Sequence, residues 1–517
     1  MNDFMRRGYD AVEADNIKAA AQWFEKALEA NPDDPKAQAW LGQCLCSLYR
    51  NVEGVAYLRQ AGTYFLRDSS ANKNTSMVLE VISQLQYWGD FQGALELLNQ
   101  VIKGNNSDFR SFQLLAATYA QLNKKTEAMI AGEQAIKLAP KNIMMQVFQA
   151  SLEADEGLND VARQRLEKVL HAQPNAREGF RAHKELARVL DKLGNYGEVF
   201  SHLHVACELA KSLPEYSNQN MNLIPNMLKA NKQSYNRELL GRWSGVKFNV
   251  NPPSPVFLMG FMRSGTTLTQ EVLDAHPDIF VSDETDFIGA MQNELHKMDN
   301  SNKSTAAKLE QLDLVSVTHL RNFYWTSVYG RYGDVLDQRV FVDKFTMNTI
   351  DLGVINFIFP DARIIFVMRD PRDICLSCFM QLMVPTAITV HLLSWQGTAN
   401  IYAQVMDWWI YIKQQMTLDF IEFRYEDAIS EFESTFRKVF EFLGVVWDPV
   451  VISFHKHAAE KIIATPSRTQ VTKPLYSSSV NRWQHFESEM QSISELLNPV
   501  ISALDYQACQ DFSKKKK

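Results

Sequence analysis

Pro255–Phe280 reads PVFLMGFMRSGTTLTQEVLDAHPDIF, and the order of residue types in this stretch decides what the surrounding chain is. The apolar run Val256–Met259 has the length of a buried strand, a glycine-bounded turn follows from Gly260 to Gly265, and helical spacing takes over until Pro277. A strand that feeds a tight loop opening a helix gathers backbone N–H groups and the positive end of the helix at one spot, a natural seat for anionic oxygens. The frame G-x-x-x-x-G is that of a phosphate-binding loop. Where nucleotide triphosphatases carry G-K-[ST], however, this chain has Gly265, Thr266 and Thr267. Without that lysine a bound triphosphate and its magnesium lose their main point charge. Arg263 supplies a cation elsewhere in the same loop. A kinase or ATPase with Arg263 in place of the lysine is the alternative that this departure weakens.

A second strand-to-helix turn lies a hundred residues on. Ala362–Met368 (ARIIFVM) is a buried-strand run, followed by Arg369, Asp370, Pro371 and a helix holding Ile374, Ser377 and Cys378. Asp370 suits the helix cap and Pro371 the first turn. Arg369 therefore projects from the carboxyl end of a strand, with Ser377 about two turns along the helix. Phe341–Lys344 forms another strand end.

These blocks resemble, in order, those of sulfotransferases that use 3′-phosphoadenosine 5′-phosphosulfate (PAPS), most closely the protein-tyrosine type, whose loop carries an arginine. The resemblance runs to Trp483, about 230 residues. It implies that Arg263, Ser264, Gly265, Thr266 and Thr267 surround the 5′-phosphosulfate of PAPS as co-substrate. It also implies that Arg369 and Ser377, eight residues apart, grip the 3′-phosphate. The stretch Val281–Thr285 (VSDET) resembles the family's G-E-E-T, whose second acid is the proposed base. Glu284 is the match, twenty-one residues after Arg263, and Asp283 is its rival; His276, before Pro277, reads as a helix C-terminal residue meeting the dipole, with a base role the minor alternative because other sulfotransferases use histidine. FVDKFTMNT resembles N-K-D-P-F-T, with the Asp and Lys order changed and the proline missing, and gives Lys344 the task of neutralising the leaving phosphate. Tyr425 falls near the adenine pocket. Gln470–Trp483 (QVTKPLYSSSVNRW) looks like the closing loop, with Lys473 and Arg482 directed to the 3′-phosphate region. Arg372 and Asp373 have no matched role and read as solvated charges. No metal is implied, since the loop lacks the hydroxyl-plus-acid arrangement tied to magnesium. The reaction implied is transfer of a sulfuryl group to an acceptor hydroxyl, of protein tyrosine or of carbohydrate.

The N-terminal half repeats. Gly8, Ala20, Phe24, Ala27 and Pro32 recur as Ala116, Tyr119, Ala128, Ala135 and Pro140, and again as Ala162, Leu166, Val169 and Pro174. Small residues let paired helices approach, large ones fill the gap, and the proline ends the unit. The pattern resembles tetratricopeptide repeats, with weaker units around Gly42 and Ala61 and around Ala94, Leu98 and Val101, and a looser last one at about 176–211. The slip between the second and third units predicts a lengthened or bent helix. The resemblance implies about six helix pairs forming a superhelix whose groove binds the acceptor or a protein partner.

The fold expected is thus a tetratricopeptide-repeat superhelix over 1–211, a linker over 212–254 rich in Pro and Asn, and a P-loop-like α/β sulfotransferase domain with a parallel sheet over 255–517. An adaptor carrying an inactive nucleotide-binding domain is the reading from another class. A net charge of -7 argues against nucleic acid as a partner. Six scattered cysteines are too few for a disulfide framework, and Cys375 and Cys378 read as apolar positions on one helix face. The absence of a signal-like start or a long apolar run predicts a cytoplasmic chain without a transmembrane segment. The Lys514–Lys517 run reads as a solvated terminus.

Overall fold

The computed structural model describes residues 3–67, 73–104, 108–246, 248, 252–461, 468–475 and 477–507. Cys509 and the Lys514–Lys517 run lie outside the described residues. Two compact units are present. The first runs to Val161 and includes Tyr324–Asp337; the second takes Ala162–Phe323, Gln338–Ala458 and the described residues from 468 on.

Among the described residues of the first unit, eight helices from Asp3–Glu13 to Lys125–Leu138 make four successive pairs and Ile143–Asp155 follows; Asn159–His171 leads into the second unit, where it precedes the pair Ala176–Lys192 and Tyr196–Lys211. In the first pair Ala20, Phe24 and Ala27 are buried, and a methyl group on Gly8 would stand 2.5 Å from the Phe24 ring. That close approach is why the position takes glycine. Ala116, Ala128 and Ala135 are wholly buried in the fourth pair, as are Ala162 and Leu166 in helix Asn159–His171. Asn51–Arg67, in the second pair, has 17 residues against 14 in its counterpart Ile17–Ala30. This is the lengthened helix expected where the spacing slips.

The second unit is built on a parallel five-stranded sheet, β1 (Val256–Gly260), β2 (Ile279–Val281), β3 (Val340–Lys344), β4 (Arg363–Met368) and β5 (Asp419–Arg424), in the order β2-β3-β1-β4-β5. Val256 pairs with Val342 on one side and Arg363 on the other, and the register runs to Gly260 against Val367. All five residues of β1 are buried, as a central parallel strand requires. The chain leaves β1 toward one edge and β4 toward the other. Adjacent strands whose connections diverge open a crevice at their carboxyl ends, the usual place for a ligand.

The stretch expected as a linker carries helices Pro214–Ser217, Leu223–Ser234 and Arg237–Leu240. Leu228, Tyr235 and Leu240 are buried, Tyr411 donates its hydroxyl proton to the Tyr235 carbonyl at 3.0 Å, and the Tyr235 ring abuts Gly353, where a methyl would sit at 2.6 Å. These apolar anchors among the polar residues hold the segment on the second unit. Among the described residues no helix is long and apolar enough to cross a membrane.

Candidate active site

The loop after β1 opens helix Thr266–Asp274 with Gly265 as its N-cap, and no side chain caps the first N–H groups. Gly265 has φ +109°, and a methyl there would lie 2.5 Å from Cδ2 of Tyr425. Both features demand glycine. Gly265→Ala is expected to lower stability by about 1–3 kcal/mol, read as a fall in Tm of the full chain. Arg263 also takes a left-handed conformation, φ +68°, a costly backbone state for a side chain of this size that is found mostly at functional loops.

Around this loop each strand end contributes. From β4, Arg369 is 7% exposed. Its two terminal nitrogens donate to the carbonyls of Arg263 at 3.0 Å and Ser479 at 2.5 Å, and its guanidinium lies 4.9 Å from the Tyr425 ring centroid. Ser377, on helix Pro371–Met380, accepts from Arg263 Nε at 3.0 Å. Asp370 caps that helix with Pro371 in the first turn, as the sequence predicts. Tyr425, at the end of β5, meets the Ser479 hydroxyl at 2.8 Å.

On the other side, Ser282 Oγ accepts from the Lys344 N–H at 2.8 Å, tying the end of β3 to the segment after β2. The buried Lys344 ammonium donates to Glu284 Oε1. Thr346 bonds the same carboxylate at 3.3 Å and Thr266 Oγ1 at 3.1 Å. Burial pushes the Glu284 carboxyl up, but the charge and hydrogen bond of Lys344, the Thr346 hydroxyl and Arg263 outweigh it, so the group is held below its ordinary 4.5. The side chain is nonetheless 40% exposed, opening on the cavity.

That cavity, about 830 Å³, is lined by Arg263, Gly265, Thr266, Thr267, Glu284, Arg369, Ser377, Tyr425, Lys473 and Arg482. Ser264 and Lys344 are fully buried beside it rather than in its lining. Two buried polar atoms here, Ser264 Oγ and Arg369 Nε, have no partner in the protein. Orphan donors at an uncapped helix start fit an anionic group. Lys473 is exposed. Arg482, expected to face the 3′-phosphate, forms an ion pair with Asp191 at 2.6 Å.

The structure bears on three further readings. Asp283 is exposed and outside the cavity lining. His276 has both ring nitrogens engaged, Nε2 with the Val446 carbonyl at 2.9 Å and Nδ1 with the Asp278 N–H at 3.1 Å, and does not line the cavity. Arg372 and Asp373, read as solvated charges, are 6% and 2% exposed. Arg372 bonds Asp370 at 2.6 Å and lies 3.8 Å over the Trp483 ring. Asp373 accepts from the N–H groups of Asn481 and Trp483 at 2.8 and 2.9 Å. Burial raises its carboxyl to about 6, against the pull of Arg369 and the two amides. The reason for both is tertiary: the closing loop folds down on their helix. Thr346 and Ser479 are contributors that sequence reasoning missed. Thr346, two residues beyond Lys344, was within reach of a strand-end argument; Ser479 carried no local signal. Cys375 and Cys378 are buried on one helix, and burial raises both thiols. Among the described residues no group of three or more His, Cys, Asp and Glu is placed to hold a metal ion.

Residues 255–449 match the family model described as Sulfotransferase family. This stretch is a sulfotransferase-family domain. Tetratricopeptide-repeat models match residues 5–63 and 109–142, so the sulfotransferase domain follows a repeat region. The chain is similar to an uncharacterised protein of Aquifex aeolicus (strain VF5), 25% identical over 429 residues, covering 80% of this chain and 53% of that protein. It therefore spans about half the length of that relative. It is also similar to Protein-tyrosine sulfotransferase A of Caenorhabditis elegans, 25% identical over 267 residues, covering 48% of this chain and 67% of that one. Among solved structures, the sulfotransferase domain of the Synechococcus PCC 7002 olefin synthase aligns at 16% identity and a TM-score of 0.34, over 49% of this chain and 97% of its own.

Proposed function

We propose that the chain is a PAPS-dependent O-sulfotransferase acting on a hydroxyl of a polypeptide or a sugar, with the repeats holding acceptor or partner. The observation that carries this reading is the meeting of a lysine-free phosphate loop, Arg369 with Ser377, and Glu284 with Lys344 around one cavity. The uncapped helix start, Arg263, Ser264, Thr266 and Thr267 would hold the 5′-phosphosulfate. Arg369 and Ser377 would hold the 3′-phosphate, with Lys473 near by and Tyr425 against the adenine. PAPS supplies the sulfuryl group when bound.

Glu284 accepts the proton of the acceptor hydroxyl. In taking it, the carboxyl loses the charge that binds Lys344. The ammonium is then released to neutralise the leaving phosphate, with the Thr266 and Thr267 hydroxyls and Arg263 alongside. Proton removal and leaving-group stabilisation are thereby coupled through one ion pair.

This coupling has a pH signature. Glu284 is held below 4.5, so activity that needs its carboxylate persists through neutral pH and fails only as pH falls below that value. In Lys344→Met the largest opposing charge is gone and burial raises the group. The acid limb of kcat/KM against pH is expected to move upward, and an unmoved limb would remove Lys344 from this role.

Incubation with sulfur-35-labelled PAPS and a panel of tyrosine peptides, phenols and oligosaccharides tests the activity itself. Label is expected on a hydroxyl of at least one class. No label in any, with a protein partner still co-purifying through residues 1–211, would favour the adaptor reading.

A further inference from the structure

The last helix pair, Ala176–Lys192 and Tyr196–Lys211, closes the run of repeats yet belongs to the same compact unit as the sheet. Its contacts there combine aromatic packing, Phe200 on Phe379, Trp395 and Phe486, with specific polar bonds. Lys184, 5% exposed, donates to the Phe379 carbonyl in the last turn of helix Pro371–Met380, which carries Ser377. A cation gains most at such a helix end, and a buried one is costly without a partner. Asp191 takes Arg482 in a fork, Nη2 to Oδ2 at 2.6 Å and Nε to Oδ1 at 3.2 Å, with the two side chains only 12% and 26% exposed. One turn on, the Tyr196 ring stacks on His485 with centroids 4.2 Å apart and planes 10° apart.

Arg482 lies in the stretch Gln470–Trp483 beside the cavity, and His485 follows it. From the sheet side that loop is already tied: the Ser479 carbonyl accepts from Arg369, and the Asn481 and Trp483 N–H groups end on Asp373. The repeat side supplies a further anchor on Arg482, whose Nη2 also lies 3.0 Å from Met380 Sδ. The two sets of ties interleave along the chain, with the N–H groups of Asn481 and Trp483 on Asp373 and Arg482, between them, on Asp191.

We propose that Asp191 is a positioning residue for co-substrate retention: it fixes Arg482, and through it the Ser479 carbonyl over Arg369, making the last repeat a working part of the sulfotransferase domain. The inference rests on the reading of the cavity as a PAPS site. Asp191 touches no reacting group, so its removal acts on binding and spares chemistry.

Asp191→Ala in the full chain is expected to raise the Kd of 3′-phosphoadenosine 5′-phosphate (PAP), measured by calorimetry, and the KM for PAPS by about tenfold. The change in kcat stays within about twofold, and Asp191→Glu, which keeps the carboxylate, restores most of the affinity. Unchanged PAP affinity overturns the proposal. Tighter binding overturns it too, because Asp191 would then be a counter-ion that competes with phosphate for Arg482. Should the wild-type chain bind no PAP, the reading of the site fails, and hydrogen exchange still decides the positioning claim. Amides of residues 477–486 must exchange faster in Asp191→Ala than in wild type, and equal rates overturn it.

Discussion

Glu284→Gln is expected to lower kcat by about 10²–10⁴-fold while leaving PAP affinity within a few-fold. The amide keeps the size of the side chain and an oxygen to accept from Lys344 and Thr346, so the wall of the cavity stands. What it loses is the ability to take a proton. The surrounding groups strengthen the expectation. A carboxylate held below 4.5 by Lys344 is ionised at neutral pH, and the ion pair it forms is the one that the proposed proton transfer would dissolve. Rapid-mix turnover with a phenolic acceptor and calorimetry with PAP separate the two quantities. A variant with unchanged kcat would hand the base to another group, and loss of PAP binding would make Glu284 a structural residue.

Arg369→Ala is expected to weaken PAP binding by about 10²-fold. One charge-assisted hydrogen bond to a buried group is worth roughly 1.5–3 kcal/mol, about 10–100-fold in affinity. Arg369 also has a structural task beyond the proposed ligand contact. It joins the Arg263 carbonyl of the phosphate loop to the Ser479 carbonyl of the closing loop, so truncation frees both. Arg369→Lys should recover little, because a point charge cannot span two carbonyls and still present Nε to an anion. Calorimetry of the two variants checks this, with Tm recorded to confirm folding. Full affinity in Arg369→Ala would dismantle the 3′-phosphate assignment.

The parts of this site that the sequence made legible are those written by local geometry. Gly260 and Gly265 bracket a strand-to-helix turn, and Asp370 with Pro371 starts a helix directly after a strand, so Arg263 and Arg369 were bound to emerge at strand ends. Once both strands are parallel neighbours, the two arginines must meet. Repeats were legible for the same reason, since Ala20, Ala27 and Pro32 recur at one spacing as Ala128, Ala135 and Pro140.

What stayed hidden depends on contacts distant in sequence. Asp373 looks like any charge in a first helical turn until residues 479–483 fold onto it. Asp191 looks like a polar end of a repeat helix, and its partner lies 291 residues away. The stretch 212–254 has the Pro and Asn content of a connector, yet Tyr235 and Leu240 bury themselves and hold it in place. Composition reports what a segment is made of; burial depends on what arrives later in the chain.

Titration of the full chain with PAP and, separately, with ATP and magnesium tests the central claim most directly, because it needs no knowledge of the acceptor. A loop with Thr266 where the lysine of a triphosphatase would stand, together with the proposed second-phosphate role of Arg369 and Ser377, predicts that PAP binds at least about 100-fold more tightly than magnesium-ATP. Tighter binding of magnesium-ATP, or no binding of PAP, would contradict it.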